Sequence, residues 1–123
     1  MAIHYVNLVE QWRSEKNDLL PIIEKVLISG KYVNSPDIAH FEEKISDFCK
    51  VKYSVALNSG TDALTFALYL VGVRAGDEVI TVPNSFIATA AVIVHLGANP
   101  IFVDVCKDQN INVDLIEIEI TKK

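Results

Sequence analysis

The chain has 123 residues, 50% of them hydrophobic and 22% charged, with a formal charge of −5 at pH 7. That balance fits one folded domain with a sizeable core and excludes a disordered chain. It also argues against a sequence-independent grip on nucleic acid, which needs a clustered basic face, whereas the eleven Lys and Arg here are scattered. No apolar run is long enough to span a bilayer, and Met1-Ala2-Ile3-His4-Tyr5 lacks the charged flank and apolar stretch of a signal peptide, so a cytoplasmic location without a membrane partner is expected.

From Val6 to Leu27 the apolar residues Val9, Trp12, Leu19, Ile22, Ile23, Val26 and Leu27 recur mostly at helical spacing. Pro21 interrupts them, which predicts two helices with Pro21 in the first turn of the second and Gly30 as its stop. Pro36-Asp37 opens a further helix, with Ile38, Phe41, Ile45 and Phe48 on one face and Glu42, Glu43, Lys44 and Asp47 on a solvated face. Residues 1–50 therefore read as an amino-terminal helical segment and 51–123 as the first part of an α/β domain.

In the second part, Ser54 to Leu57 reads as a strand, Asn58 to Asp62 as a loop, and Ala63 to Val71 as a helix buried on most sides that ends around Gly72. Ala75-Gly76-Asp77 turns the chain into a second strand, Val79 to Val82, after which Pro83-Asn84-Ser85 offers N-cap chemistry to a helix running through Ile87, Ala90, Ala91, Ile93 and Val94. Gly97-Ala98-Asn99-Pro100 closes that helix, and Ile101 to Val105 reads as a third strand. Asp108 to Asn112 is a loop, and Val113 to Ile120 a short helix or strand. The alternation predicts an α/β fold with a three-stranded parallel sheet, narrow and with exposed edges, whose ligands gather at the carboxyl ends of the strands. Both polar loops, Asn58 to Asp62 and Pro83 to Phe86, fall on that edge.

Ser59-Gly60-Thr61 opens a helix, where unpaired N–H groups and the positive end of the macrodipole suit an anion and Gly60 permits close approach. The same residues also read as a capping box, with Ser59 as N-cap answered by Asp62 three residues later. The two readings coexist only if the Asp62 carboxylate turns away from the anion. Phe86 is either a flat apolar surface at the ligand edge or a core phenylalanine at a helix start, and Asn84, Ser85 and Thr89 read as caps. His4, His40 and His95 form no acid–base group. Cys49 and Cys106 have no CxxC and no His at ligand spacing, so free buried thiols and no metal site are expected.

Four ordered runs carry a resemblance: Asn58-Ser59-Gly60-Thr61-Asp62-Ala63-Leu64, Ala75-Gly76-Asp77-Glu78-Val79-Ile80, Pro83 to Thr89, and Gly97 to Val105, with Ser29-Gly30-Lys31-Tyr32 and Phe41-Glu42 upstream. The chain resembles the amino-terminal part of the DegT/DnrJ/EryC1/StrS family, sugar aminotransferases of the aspartate-aminotransferase fold (PLP fold type I). The resemblance implies an incomplete parallel-sheet core of the large domain. It implies that the loop matching Ser59, Gly60 and Thr61 holds the phosphate of pyridoxal 5′-phosphate and that Phe86 lies against the cofactor's pyridine ring. It places Tyr32 toward the substrate side or a neighbouring subunit and gives Asp104 a structural, loop-ordering role. The implied partners are a nucleotide-sugar substrate and an amino donor, usually glutamate, in surface-polysaccharide or lipopolysaccharide biosynthesis by a homodimeric parent.

Transamination also needs a Schiff-base lysine and a carboxylate paired with the pyridine nitrogen. In the family these lie later in the chain, and Lys107, Lys122 and Lys123 do not sit in such a context. The expectation is thus roughly the first third of a subunit, inactive alone, with no catalytic residue assigned. The alternatives are a small phosphate- or nucleotide-binding α/β module without covalent chemistry, although no GxGxxG or P-loop lysine follows the strand, and a remnant that binds nothing.

Overall fold

The computed structural model describes residues 5–121, which fall into two compact units that meet in sequence at Ala56 and Leu57.

The first unit is helical. Helix α1 (Leu8–Ser29) starts where the Asn7 side chain accepts the Glu10 N–H at 3.2 Å and stops at Gly30, whose left-handed φ of 65° turns its N–H back onto the Leu27 carbonyl. The expected division at Pro21 does not occur, and the proline lies inside one continuous helix. A proline removes one backbone hydrogen bond, and in a 22-residue helix the turns on either side propagate without it. The Tyr32 hydroxyl donates to the Leu27 carbonyl at 2.9 Å, so it fastens the end of α1. Helix α2 (Pro36–Cys49) begins with Pro36 in its first turn and ends at Lys50, a non-glycine residue at φ 54°. No residue of α1 or α2 is fully buried within the unit. Cys49, expected to be buried, is exposed at the end of α2.

Ser54 to Leu57 is not a strand. The Ser46 hydroxyl donates to Ser54 at 3.0 Å, the Ser54 hydroxyl donates to the Glu42 carbonyl, and the Ala56 N–H donates to Glu42 Oε1 at 2.8 Å. A strand exists only through its ladder, and the hydrogen bonds shown by this stretch run to α2.

The second unit carries the sheet and the core. Strand β1 (Glu78–Thr81) pairs in parallel with β2 (Asn99–Phe102), with Glu78 opposite Asn99 and Ile80 opposite Ile101. Among the described residues the sheet therefore has two strands where three were expected. Helix α4 (Ala88–His95) makes the crossover between them. Its residues Val92 and Ile93, with Ala98 just before β2, form a buried cluster against which Leu68, Val73 and Val79 pack. Val103 and Ala88 are the other buried apolar residues of the unit.

Helix α3 (Gly60–Leu70) supplies Leu68 to that cluster and packs on α4, but none of its residues is fully buried. Phe66 is 52% and Leu70 80% exposed, which corrects the expectation of burial on most sides. An all-apolar helix is covered all round only when layers lie on both sides of it.

Strand β2 ends earlier than expected. Beyond it the Val103 N–H still reaches the Thr81 carbonyl at 3.0 Å, and Val105 bridges Ile111 in an antiparallel hairpin. Cys106 in this hairpin is exposed, again unlike the expected buried thiol. The chain then forms a 3-10 turn (Val113–Leu115) and a short helix α5 (Ile116–Glu119), so of the two forms expected for Val113 to Ile120 the helical one occurs. No helix among the described residues is long and apolar enough to cross a membrane.

Candidate functional site

Ser59 precedes α3 in an extended conformation; its side chain accepts the Asp62 N–H at 3.1 Å and its carbonyl accepts the Ala63 N–H at 3.0 Å. The Ala63 bond is the first of the helix; of the amides before it the cap takes that of Asp62, and those of Gly60 and Thr61 remain without an intrahelical acceptor at the positive end of the macrodipole. Gly60 is not in the left-handed region, and a Cβ there would meet nothing within 4 Å. Neither backbone conformation nor packing demands a glycine at this position, and the space beside it is open.

Phe86 follows β1 by five residues. The residue is 76% exposed, so it lies outside the buried cluster of this unit. Its carbonyl accepts the Thr89 N–H at 2.9 Å, and the Ser85 and Thr89 hydroxyls lie 2.9 Å apart. Asn84 reaches the other way, its Nδ2 donating to the Gln109 carbonyl at 3.3 Å. The expected N-cap at Pro83-Asn84-Ser85 is not formed: the cap position is Ile87, without a side-chain cap bond. Asn84 and Ser85 spend their polar atoms on the hairpin loop and on Thr89 instead.

These elements enclose a cleft of about 570 Å³ lined by Gly60, Thr61, Ala63, Leu64, Phe86, Ala88 and Thr89. Of the four residues singled out from sequence, Gly60, Thr61 and Phe86 line it and Ser59 does not. Ser59 serves as the cap, and its hydroxyl proton stays available to donate. Asp62 is also off the lining, and no hydrogen bond returns from its carboxylate to the Ser59 N–H among the described residues, so only half of a capping box forms. The wall from Ala63 and Leu64 to Ala88 is apolar, with the polar atoms gathered at Gly60-Thr61 and Thr89. Sequence reading missed Thr89 as a lining residue; its place one turn after Ser85 was the available signal.

The other polar candidates lie elsewhere. Asp104 Oδ1 accepts the Val105 N–H at 2.7 Å and the Asp104 carbonyl accepts the Asn112 N–H at 3.0 Å, so this residue shapes the hairpin. His40 lies 3.7 Å from Glu43 on the surface, His95 is exposed, and His4 falls outside the described residues, as do Lys122 and Lys123. No group of three or more His, Cys, Asp or Glu among the described residues is arranged to hold a metal ion.

The sequence profile of the DegT/DnrJ/EryC1/StrS aminotransferase family matches residues 13–123. UDP-2-acetamido-2-deoxy-3-oxo-D-glucuronate aminotransferase of Pseudomonas aeruginosa is 34% identical over 122 residues, covering 98% of this chain and 34% of that protein. A DegT DnrJ EryC1 StrS aminotransferase from Brucella abortus superposes with a TM-score of 0.87 at 36% identity, over 94% of this chain and 31% of that one. NtdA from Bacillus subtilis, solved with bound cofactor PMP, does so with a TM-score of 0.83 at 38% identity, over 89% and 25%. The chain thus spans a quarter to a third of the length of the curated relatives it matches, from 23% to 34%. With its α/β architecture and parallel strands shared with these enzymes, the chain belongs to the DegT/DnrJ/EryC1/StrS aminotransferase family.

Proposed function

We propose that this chain forms the phosphate-and-ring end of a pyridoxal 5′-phosphate site in an aminotransferase that moves an amino group, with glutamate as donor, onto a nucleotide-linked keto-sugar. The observation that carries the reading is the meeting of the Gly60 and Thr61 amides with Phe86 in one cleft. The residues present fit the cofactor. Two free amides, a helix dipole and the adjacent hydroxyls of Ser59 and Thr61 match a phosphate, and the open space over Gly60 lets it approach. Asp62 gives its N–H to the Ser59 cap, and its side chain is not among the residues that line the cleft. Phe86 offers a flat apolar face that sheds water from one side of a pyridine ring.

When bound, the cofactor supplies an electron sink for the carbon that gains or loses the amino group. Attachment and proton transfer require a lysine, and the pyridine nitrogen requires a carboxylate; no motif in this sequence matches either. The chain alone is therefore a binding element without turnover, and the homodimer and substrate pocket belong to the larger parent.

Titration of the chain with pyridoxamine phosphate and, separately, with inorganic phosphate tests this. Wild type is expected to bind pyridoxamine phosphate more tightly than phosphate, and Gly60→Asp, which sets a carboxylate at the open amides, is expected to weaken both. Equal binding by wild type and Gly60→Asp would overturn the phosphate assignment. Transamination of a keto-sugar by the chain with pyridoxal phosphate and glutamate would overturn the claim of inactivity.

A further inference from the structure

Phe86 combines an exposed ring with a pinned backbone. Asn84 is tied to Gln109 across 25 positions of sequence, Ser85 is tied to Thr89 through their hydroxyls, and the Phe86 carbonyl is tied to the Thr89 N–H. The hydroxyl pair satisfies none of the first amides of α4, since the helix lacks a side-chain cap. What it does span is Phe86 itself: it closes one turn from Ser85 to Thr89, and Phe86 and Thr89 both line the cleft. A ring on a loose loop costs loop-ordering entropy on meeting a ligand, whereas a ring on a backbone already fixed costs less.

Resting on the cofactor reading above, we propose that Ser85 is a positioning residue: its hydrogen bond to Thr89, closed across Phe86, holds the ring in the orientation that meets the face of a bound pyridine ring. Ser85 itself is off the cleft lining, so it acts through Phe86.

Pyridoxamine phosphate is the probe, because without an aldehyde it forms no adducts with surface lysines. Phe86→Leu is expected to weaken its binding about fivefold. Ser85→Ala is expected to weaken it about threefold, with Ser85→Thr restoring it. The double variant Ser85→Ala/Phe86→Leu is expected to bind no more weakly than Phe86→Leu alone, because the hydroxyl has nothing left to position. Without ligand, three-bond couplings at Phe86 are expected to report one χ1 rotamer in wild type and Ser85→Thr and an averaged value in Ser85→Ala. Penalties that add in the double variant, couplings unchanged in Ser85→Ala, or Ser85→Ala binding as wild type while Phe86→Leu does not would each overturn the positioning role. Phe86→Leu binding as wild type would overturn the cofactor reading at Phe86 itself, and the role of Ser85 with it.

Discussion

Glu42 holds the Ala56 N–H on its side chain at 2.8 Å and the Ser54 hydroxyl on its carbonyl, so one residue of α2 fastens the segment that follows it from two directions. Glu42→Ala removes the acceptor of the exposed Ala56 amide and is expected to lower stability by roughly 0.5–1 kcal/mol. Glu42→Gln retains Oε1 and is expected to stay close to wild type. Amide exchange at Ala56 checks this, and equal exchange in all three proteins would contradict it.

Gly97 is required by both conformation and space. It sits at φ 76°, and a Cβ there would lie 2.9 Å from the Ala75 Cβ. Gly97→Ala is expected to destabilise by about 1–3 kcal/mol. Gly60→Ala, with an ordinary φ and nothing within 4 Å, is expected to change stability by less than about 1 kcal/mol. Urea unfolding of the two variants side by side measures the contrast, and a Gly97→Ala protein as stable as wild type would refute it.

Ile93 and Val94 are neighbours on α4 with opposite surroundings, 2% and 58% exposed. Ile93→Ala opens a cavity in the cluster with Val92 and Ala98 and is expected to cost about 2–4 kcal/mol. Val94→Ala is expected to remain within about 0.5 kcal/mol. Similar thermal shifts in the two variants would show that α4 is packed on a different face.

Asp108 is fully exposed, yet hydrogen bonds from the Asn110 side chain at 3.1 Å and the Asn110 N–H at 3.1 Å hold its carboxyl below the ordinary value of 3.8. A carboxylate depressed in the folded state contributes order that is present above 3.8 and is lost as pH falls through the lower folded value. The turn at 108–110 is therefore expected to loosen only in acid below that point. In Asn110→Ala the Asp108 titration is expected to move up toward 3.8 in an NMR pH series; an unmoved midpoint would assign the shift to another cause.

The legible features were those set by neighbours in sequence. Gly30, Pro36 and Ser59 mark helix ends through local geometry, and each does so in the structure. Ser54 to Leu57 misled because side-chain type records suitability for a ladder and says nothing of which partner supplies it; here Glu42, twelve and fourteen residues back, takes those polar groups. Helix α3 is largely apolar from Ala63 to Leu70, which registers a demand for cover that its neighbour α4 meets in part. Pro21 carries a local signal for a helix boundary, but one missing hydrogen bond does not end a long helix. At the cleft, Gly60, Thr61 and Phe86 were visible as residue types, whereas the tie between Asn84 and Gln109 joins two loops with no shared periodicity.

The parallel pairing of β1 with β2 is contiguous in sequence, running from Glu78 to Phe102 with α4 between the strands and the buried Val92, Ile93 and Ala98 inside the same span. Parallel strands are usually slow to meet because their partners lie far apart along the chain. In this unit the closure is a single short crossover built on one eight-residue helix, so its entropic penalty is modest and the burial that rewards it arrives at once. The β1–α4–β2 span thus has the makings of a folding nucleus: substitutions at Val92 or Ile93 should slow folding, and those on the exposed face of α3 should mainly hasten unfolding.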